Sequence, residues 1–560
     1  MIGVIPAVAQ TEAVKEFFEL FKTPWEFYQP DGSYDVILIS AEQFPEVTAR
    51  LVILFGTPTR NGDVQAGFIP GPVLSSTVLD YQGNQVPLYG GGRLLNPGPE
   101  CATCLQSERG PLGLRKEARE QITLRLGYDL FHEVALLLSQ GQPVEHAHVP
   151  TLDLHIRMLR DWILDAGLAL VEIPPVPAAK KFMVCLTHDI DFIGIRDHKF
   201  DHTLLGFLYR STVGAVRDAM GRRIPFGRLL QIWKALASLP LVFLGWVRDF
   251  WVPFDWFLRV EKGLPATYYL IPFKNRAGQK VSLRNAKNRA TKYDVEDIPE
   301  WTETLRREGC EIGVHGIDAW HSVELGRAEL QRVAGGKVEA RVGIRMHWLL
   351  NDANTYRVLE EAGYSYDSTS GYNETIGYRC GTTQVFRPCG TRDLLELPMH
   401  IQDGALFFPN RLGLCEDEAW CRCAALVENG HKFGGVLTLL WHDRSHGPER
   451  FWGGFYERLV NELKQLDVWF GSGAQVVEWF RLRRQATFRY ERDEHGKGAL
   501  QLVHAGNGNG PPLSLKVYRP GPVGRADAGR AAETAQTIPL EGREPINIDE
   551  LLRREPVLSS

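Results

Sequence analysis

An apolar run that ends in two carboxylates carries the first chemistry in this chain: Val184-Cys185-Leu186-Thr187-His188-Asp189-Ile190-Asp191. A run bounded in this way reads as a buried strand of a parallel sheet. Residues two apart on a strand point to the same side. Asp189 and Asp191 therefore emerge together at the carboxyl end, where barrel and α/β enzymes place their chemistry. Two neighbouring carboxylates repel unless positive charge sits with them, and a divalent metal or a guanidinium would supply it. The bland alternative is a solvated pair at the strand edge or a cap on the next helix.

The same ending recurs downstream. Glu311-Ile312-Gly313-Val314-His315, Tyr364-Ser365-Tyr366-Asp367 and Gly435-Val436-Leu437-Thr438-Leu439-Leu440-Trp441-His442 are strand-like runs that finish in His or Asp. Ala266 to Ile271 is a further strand, and helical patterns over Pro299 to Glu308 and Ala353 to Ala362 lead into the next strands. Strands alternating with helices imply βα units and a parallel sheet or barrel. Repetition of acid and imidazole at strand ends favours a metal site over a solvated pair.

The surrounding chain divides into segments. At 560 residues it needs two or three cores. Residues 1–125 read as an N-terminal α/β domain, with runs such as Asp35 to Ile39 and Leu51 to Phe55 between Gly/Pro breaks. Helical patterns from Tyr128 to Ser139 and Leu152 to Ala166 make 126–178 a connector, closed by Ile173-Pro174-Pro175-Val176-Pro177. Residues 179–485 form the expected catalytic domain. Residues 486–560 read as a small β appendage, with strands near Thr487 to Glu491, Ala499 to Val503 and Leu513 to Tyr518, a Gly/Asn turn at 507–510, and a flexible stretch from Pro520 to Ala535.

Taken together, five ordered motifs resemble the polysaccharide deacetylases, the NodB-homology group or carbohydrate esterase family 4: Thr187-His188-Asp189-Ile190-Asp191, His315 with His321, Arg345, Asp367-Ser368-Thr369, and Leu440-Trp441-His442. The resemblance covers residues 180 to 480 and is to the members with an Asp-x-Asp opening. It implies a distorted (β/α) barrel, one divalent metal, usually zinc, and hydrolysis of N-acetyl groups on sugars. Carried onto this chain, it makes Asp191, His315 and His321 the metal ligands, Asp189 the general base, Arg345 its orienting partner and His442 the general acid. Asp367, Arg379, Arg387 and Trp441 are candidate substrate residues, with a solvated or structural ion pair the equal alternative for the two arginines; Trp441, Trp320 and Trp348 could offer sugar-stacking faces or simply be buried. Three departures stand out. The family's paired histidines are usually four apart, whereas His315 and His321 are six apart, so Asp318 or His347 stands as an alternative third ligand. Ile190 fills the place where many members carry a second adjacent aspartate. The proline that usually follows the third-motif arginine is absent. His188 should face away from the site as a core histidine, and His146, His148 and His155 read as surface groups.

Composition narrows the rest. A formal net charge of −5 lacks the basic footprint of nucleic-acid binding. Nine cysteines form one CxxC (Cys101, Cys104) and one CxC (Cys421, Cys423) but no second pair at zinc-ribbon spacing, which fits a reducing compartment. The apolar N-terminus lacks a basic n-region, and no run reaches eighteen uninterrupted apolar residues. The expectation is a cytoplasmic protein, peripheral at the inner membrane face if the insertion at 210–256 touches lipid. There the apolar stretch Ala235 to Val247 lies among Arg217, Arg222, Arg223, Arg228 and Arg248. Its other reading is a helix packed over the sheet. The partner expected is an N-acetylated glycan of a surface polysaccharide or its lipid-linked precursor. The rivals are an allantoinase-like hydrolase of a small amide or cyclic ureide on the same barrel, and an inactive glycan-binding protein.

Overall fold

All nine residues of strand β1, Phe182–Ile190, are buried. This explains why its sequence is a near-continuous apolar run: a parallel strand covered on both faces has no solvent side to alternate with. The computed structural model describes the chain apart from residues 222–225, 281–285, 336–340, 493–497, 505, 507–509, 522–533, 541, 543 and 554–560. Most of the stretch expected to be flexible between Pro520 and Ala535, and the turn at 507–509, lie outside the described residues.

β1 belongs to a curled sheet with β2 (Ala266–Leu270), β3 (Glu311–Gly316), β4 (Gly343–Met346), β5 (Tyr366–Asp367), β6 (Leu395–Glu396), β7 (Ile401–Gln402), β8 (Val436–Leu440) and β9 (Val468–Phe470). The order is β6-β5-β4-β3-β2-β1-β8-β7, with β9 also against β1. Every pairing in it is parallel. Helices such as Thr355–Ala362, Glu416–Phe433 and Gly453–Lys464 pack Leu359, Leu426 and Leu459 onto Val184, Leu186, Tyr268 and Ile344. The result is an open, distorted (β/α) barrel, the fold class expected from the sequence.

Alternate residues face the lumen. Met183, Cys185, Tyr269 and Tyr366 join Val476 and Phe480 of helix Gly473–Gln485 and Leu500, Leu502 and Leu515 of the C-terminal strands in one cluster. That cluster plugs the amino-terminal end of the barrel. Tyr366 is its stopper: its hydroxyl donates to Glu311 Oε1 at 2.8 Å. A Cβ at Gly343 would fall 2.0 Å from its ring, so only glycine fits beside it. With one end sealed, the charged lumen residues can open only towards the other.

The N-terminal unit holds a second sheet, in which strand directions are mixed. Trp25–Phe27, Ile2–Ile5, Val36–Ile39, Leu51–Phe55 and Gln121–Leu126 run parallel, and the remaining strands continue antiparallel. Helices Leu130–Ser139 and Thr151–Asp165, read from sequence as a separate connector, share this sheet's core through Leu137, Leu152 and Leu159. Strand Leu170–Glu172 pairs with the C-terminal Ser514–Arg519, so the appendage is stitched back to the junction before the barrel. His155, expected at the surface, is buried: it lies on the inner face of its helix, its ring 5.6 Å from that of Tyr128.

Candidate active site

The register of β3 and β4 builds the centre. His315 pairs with Arg345 and Gly316 with Met346, which leaves His347 one step beyond the end of β4, beside His315. Asp191 arrives from the neighbouring end of β1. Its Oδ1 lies 3.4 Å from His315 Nε2 and 3.2 Å from His347 Nε2, and the three ligand atoms all lie within 4.8 Å of one another. Asp191 Oδ1 is buried with no hydrogen-bond partner. A buried carboxylate oxygen left open while two imidazole nitrogens face it is the arrangement a divalent cation would satisfy. His315 Nδ1 lies 3.0 Å from the Arg345 carbonyl, so the tautomer donating there leaves Nε2 free for a metal. Burial keeps His347 far below an ordinary histidine, hence neutral as a ligand must be.

The structure brings His347, and not His321, to Asp191 and His315. After Gly316 the chain turns, with the amides of Ile317 and Asp318 donating to Glu329. This carries His321 aside, where its Nε2 lies 3.1 Å from Asp318 Oδ1. Arg289 fastens both ligand loops from below: it is buried and donates to the carbonyls of Gly316, Ile317 and His347 at 2.9–3.2 Å. No sequence signal marked Arg289, which sits in a polar stretch without periodicity.

Asp189, two residues before Asp191, faces the lumen as the strand period requires. Its Oδ1 accepts from Arg345 Nη1 at 3.0 Å, and its Oδ2 lies 3.8 Å from His315 Nε2. Arg345 is fully buried, its Cζ 4.5 Å over the Tyr269 ring. It also donates to Thr187 Oγ1, the Ser368 carbonyl and Ser368 Oγ. Burial penalises its charge, but Asp189 outweighs this and raises its pKa further. Such a clamp fixes which way the Asp189 carboxylate points.

His442 follows β8 on the other side of the mouth. Its Nδ1 lies 2.5 Å from Asp403 Oδ1, and its backbone amide donates to Asp403 Oδ2 at 3.0 Å. Ser445 Oγ also donates to Asp403. Burial alone would lower the His442 pKa, but Asp403, with smaller help from Asp191 and Asp189, raises it to about 9. Asp403 is not among the residues expected from the sequence, although His400-Ile401-Gln402-Asp403 carries the same strand-then-acid signal as the other groups.

The four substrate candidates land elsewhere. Trp441 is fully buried, stacked between Phe455 and Tyr456 with centroids 6.0 and 4.9 Å away, and offers no face to a sugar. Arg379 donates to the Gln142 and Gln140 carbonyls, and Arg387 reaches Glu12 and Glu16. Both tie the barrel to the N-terminal unit. Asp367 is buried on β5 beside Glu396, and burial raises the pKa of both carboxyls, that of Asp367 to about 6. His188 faces away from the site: it is buried, with Nε2 2.7 Å from Glu261 Oε1. Trp348, partly exposed beside His347, sits at φ 66°, a left-handed conformation that costs a non-glycine residue energy and clusters at working sites.

No family model matches the sequence, and no curated protein matches it. Among solved structures, a Mycobacterium smegmatis protein described as a polysaccharide deacetylase aligns at 19% identity over 58% of this chain and 100% of its own, with a TM-score of 0.34. Agd3, described as a novel carbohydrate deacetylase, aligns at 9% identity over 98% of this chain and 99% of its own, also at 0.34. Puue allantoinase aligns at 12% identity over 55% of this chain and 92% of its own, at 0.31. Alignments at this level carry no argument about chemistry. What the fold and site themselves define is an open parallel (β/α) barrel with a candidate Asp-His-His metal centre, flanked by a clamped carboxylate and a carboxylate-bound imidazole.

Proposed function

We propose that this chain is a metal-dependent carbohydrate N-deacetylase, acting on an acetamido sugar of a surface polysaccharide or its lipid-linked precursor. The observation that carries the reading is the convergence at one mouth of the barrel of Asp191, His315 and His347 with Asp189–Arg345 and His442–Asp403. Asp191, His315 and His347 would hold the ion, and two imidazoles with one carboxylate suit zinc. When bound, such an ion supplies Lewis acidity at the acetyl carbonyl. Asp189 takes a proton from the attacking water, its carboxylate aimed by Arg345. His442, kept protonated at neutral pH by Asp403, delivers a proton to the departing amine nitrogen. Acetate and a free amino sugar are the products. Trp348 supplies a face beside the centre for the sugar ring. Nine free cysteines fit action in the reducing cytoplasm, and among the described residues no helix is long and apolar enough to cross a membrane.

The test is acetate release from N-acetylhexosamine oligomers by the zinc-loaded full chain, set beside turnover of a cyclic ureide. The reading predicts acetate release that a chelator removes and zinc restores. Turnover of the ureide without acetate release, or full activity after chelation, would overturn it. An inactive glycan binder would bind the oligomer while taking up no metal.

A further inference from the structure

The segment between β1 and β2 carries a surface that the catalytic reading does not use. Helices His202–Tyr209, Ala215–Met220 and Phe226–Phe243 rise from it. Their inner faces are satisfied by two small cores, one of Leu204, Phe207, Leu239, Val242 and Trp251, the other of Ala215, Leu229 and Ile232. Their outer faces are apolar as well. On the helices Met220 is 81% exposed and Phe226 67%, and in the turns that flank them Phe200 is 92% exposed and Trp246 76%. Thirteen of the twenty exposed large apolar side chains among the described residues lie between Phe200 and Val247. Val213, Val216, Met220, Trp233 and Leu236 line a recess of about 790 Å³ in the same face. Helices that are apolar on both faces are stable only when something covers the second one.

Charge decides what covers it. From Phe200 to Arg248 the sequence contains two acids, Asp201 and Asp218, against Arg210, Arg217, Arg228, Lys234 and Arg248, with Arg222 and Arg223 outside the described residues; Arg228 pairs with Glu416 and Arg248 with Asp255. A protein partner would be met by mixed charge, whereas an acid-poor, basic and aromatic face is complementary to anionic headgroups. No described helix is long and apolar enough to span a bilayer, and Pro240 lies inside the longest helix of the segment, so the segment suits the plane of the interface. Its root is the catalytic mouth. The segment begins directly after Asp191, Trp251 packs 6.0 Å from the Phe192 ring, and Trp251 Nε1 donates to Glu449 in the loop following His442.

We propose that this insertion seats the protein on an anionic phospholipid surface, with the apolar faces of its helices in the headgroup region and the active site held at the membrane edge. The docking is independent of the deacetylase chemistry, and vesicle flotation reads it directly. Full-length protein is floated with vesicles of phosphatidylglycerol and phosphatidylethanolamine, and with vesicles of phosphatidylcholine. Partition into the anionic vesicles should be at least tenfold stronger and should fall with salt, each basic residue near the surface contributing about fivefold. Met220→Glu with Trp246→Glu should cut partition tenfold or more while acetate release from a soluble oligomer is unchanged. Lys234→Glu alone should weaken binding to anionic vesicles only, which guards against misfolding of the double variant. Wild-type protein that fails to float with either vesicle, or a double variant that floats like wild type, would overturn the proposal. So would a dimer in light scattering that does not float and that Met220→Glu with Trp246→Glu renders monomeric, because a second copy would then be the cover.

Discussion

Replacing Asp403 by Asn keeps the hydrogen-bonding shape around His442 and removes the charge that holds it protonated. In the native site the His442 pKa is raised to about 9, against an ordinary value of 6.5. The difference of about 2.5 pH units corresponds to about 3.4 kcal/mol of preference for the imidazolium. Burial opposes that charge, so without Asp403 the pKa should fall to about 6.5 or lower. A general acid works only while protonated, and its activity is lost as pH rises through its pKa. At about pH 7.5 the native His442 is almost wholly protonated, and in the variant about a tenth of it remains so. Deacetylation by Asp403→Asn should therefore drop about tenfold at that pH and recover to within about twofold of wild type near pH 6. The assay is kcat/KM for acetate release across pH for both proteins at fixed zinc. An alkaline limb that stays in place, or a loss of equal size at every pH, would refute the assignment of His442 as the acid tuned by Asp403.

The remaining predictions concern the metal, the base and the core. His347→Ala should lose bound zinc by elemental analysis of the dialysed protein, whereas His321→Ala should retain it; the reverse would restore His321 as a ligand. Asp189→Asn should lower kcat by about 10² to 10⁴, the range for a general base, with metal content unchanged; expulsion of the metal would show that the roles of Asp189 and Asp191 are exchanged. Arg345→Met leaves Asp189 as an unpaired buried charge and should cost about 3–5 kcal/mol in denaturant unfolding, with a matching fall in turnover. Leu439→Ala in β8 removes a fully buried side chain and should cost about 2–5 kcal/mol, read as a shift in urea midpoint with turnover per folded molecule preserved.

Much of this protein is written in local pattern. Strand identity for β1, β2, β3 and β8, the lumen-facing pair Asp189 and Asp191, and the outward turn of His188 all follow from a side-chain period of two, which a sequence states directly. The ending of several strands in acid or imidazole followed from the same rule, because parallel strands of a barrel deliver their carboxyl ends to one mouth. The choice between His321 and His347 did not. It depends on how the chain leaves β3, where Glu329 holds the turn, and on the register that seats His347 one step past β4. Register and loop path are set by contacts between residues distant in sequence. The same reason separates Arg379 and Arg387 from the site: both look like anion binders in print, yet they meet their acceptors only because the N-terminal unit packs against the barrel. Trp441 stands beside His442 in sequence, but the strand period turns it to the helical layer. Local pattern determined which side chains could meet a cation, and tertiary packing decided which of them do, because ligation requires convergence within a few ångströms from strands that only the folded sheet brings side by side.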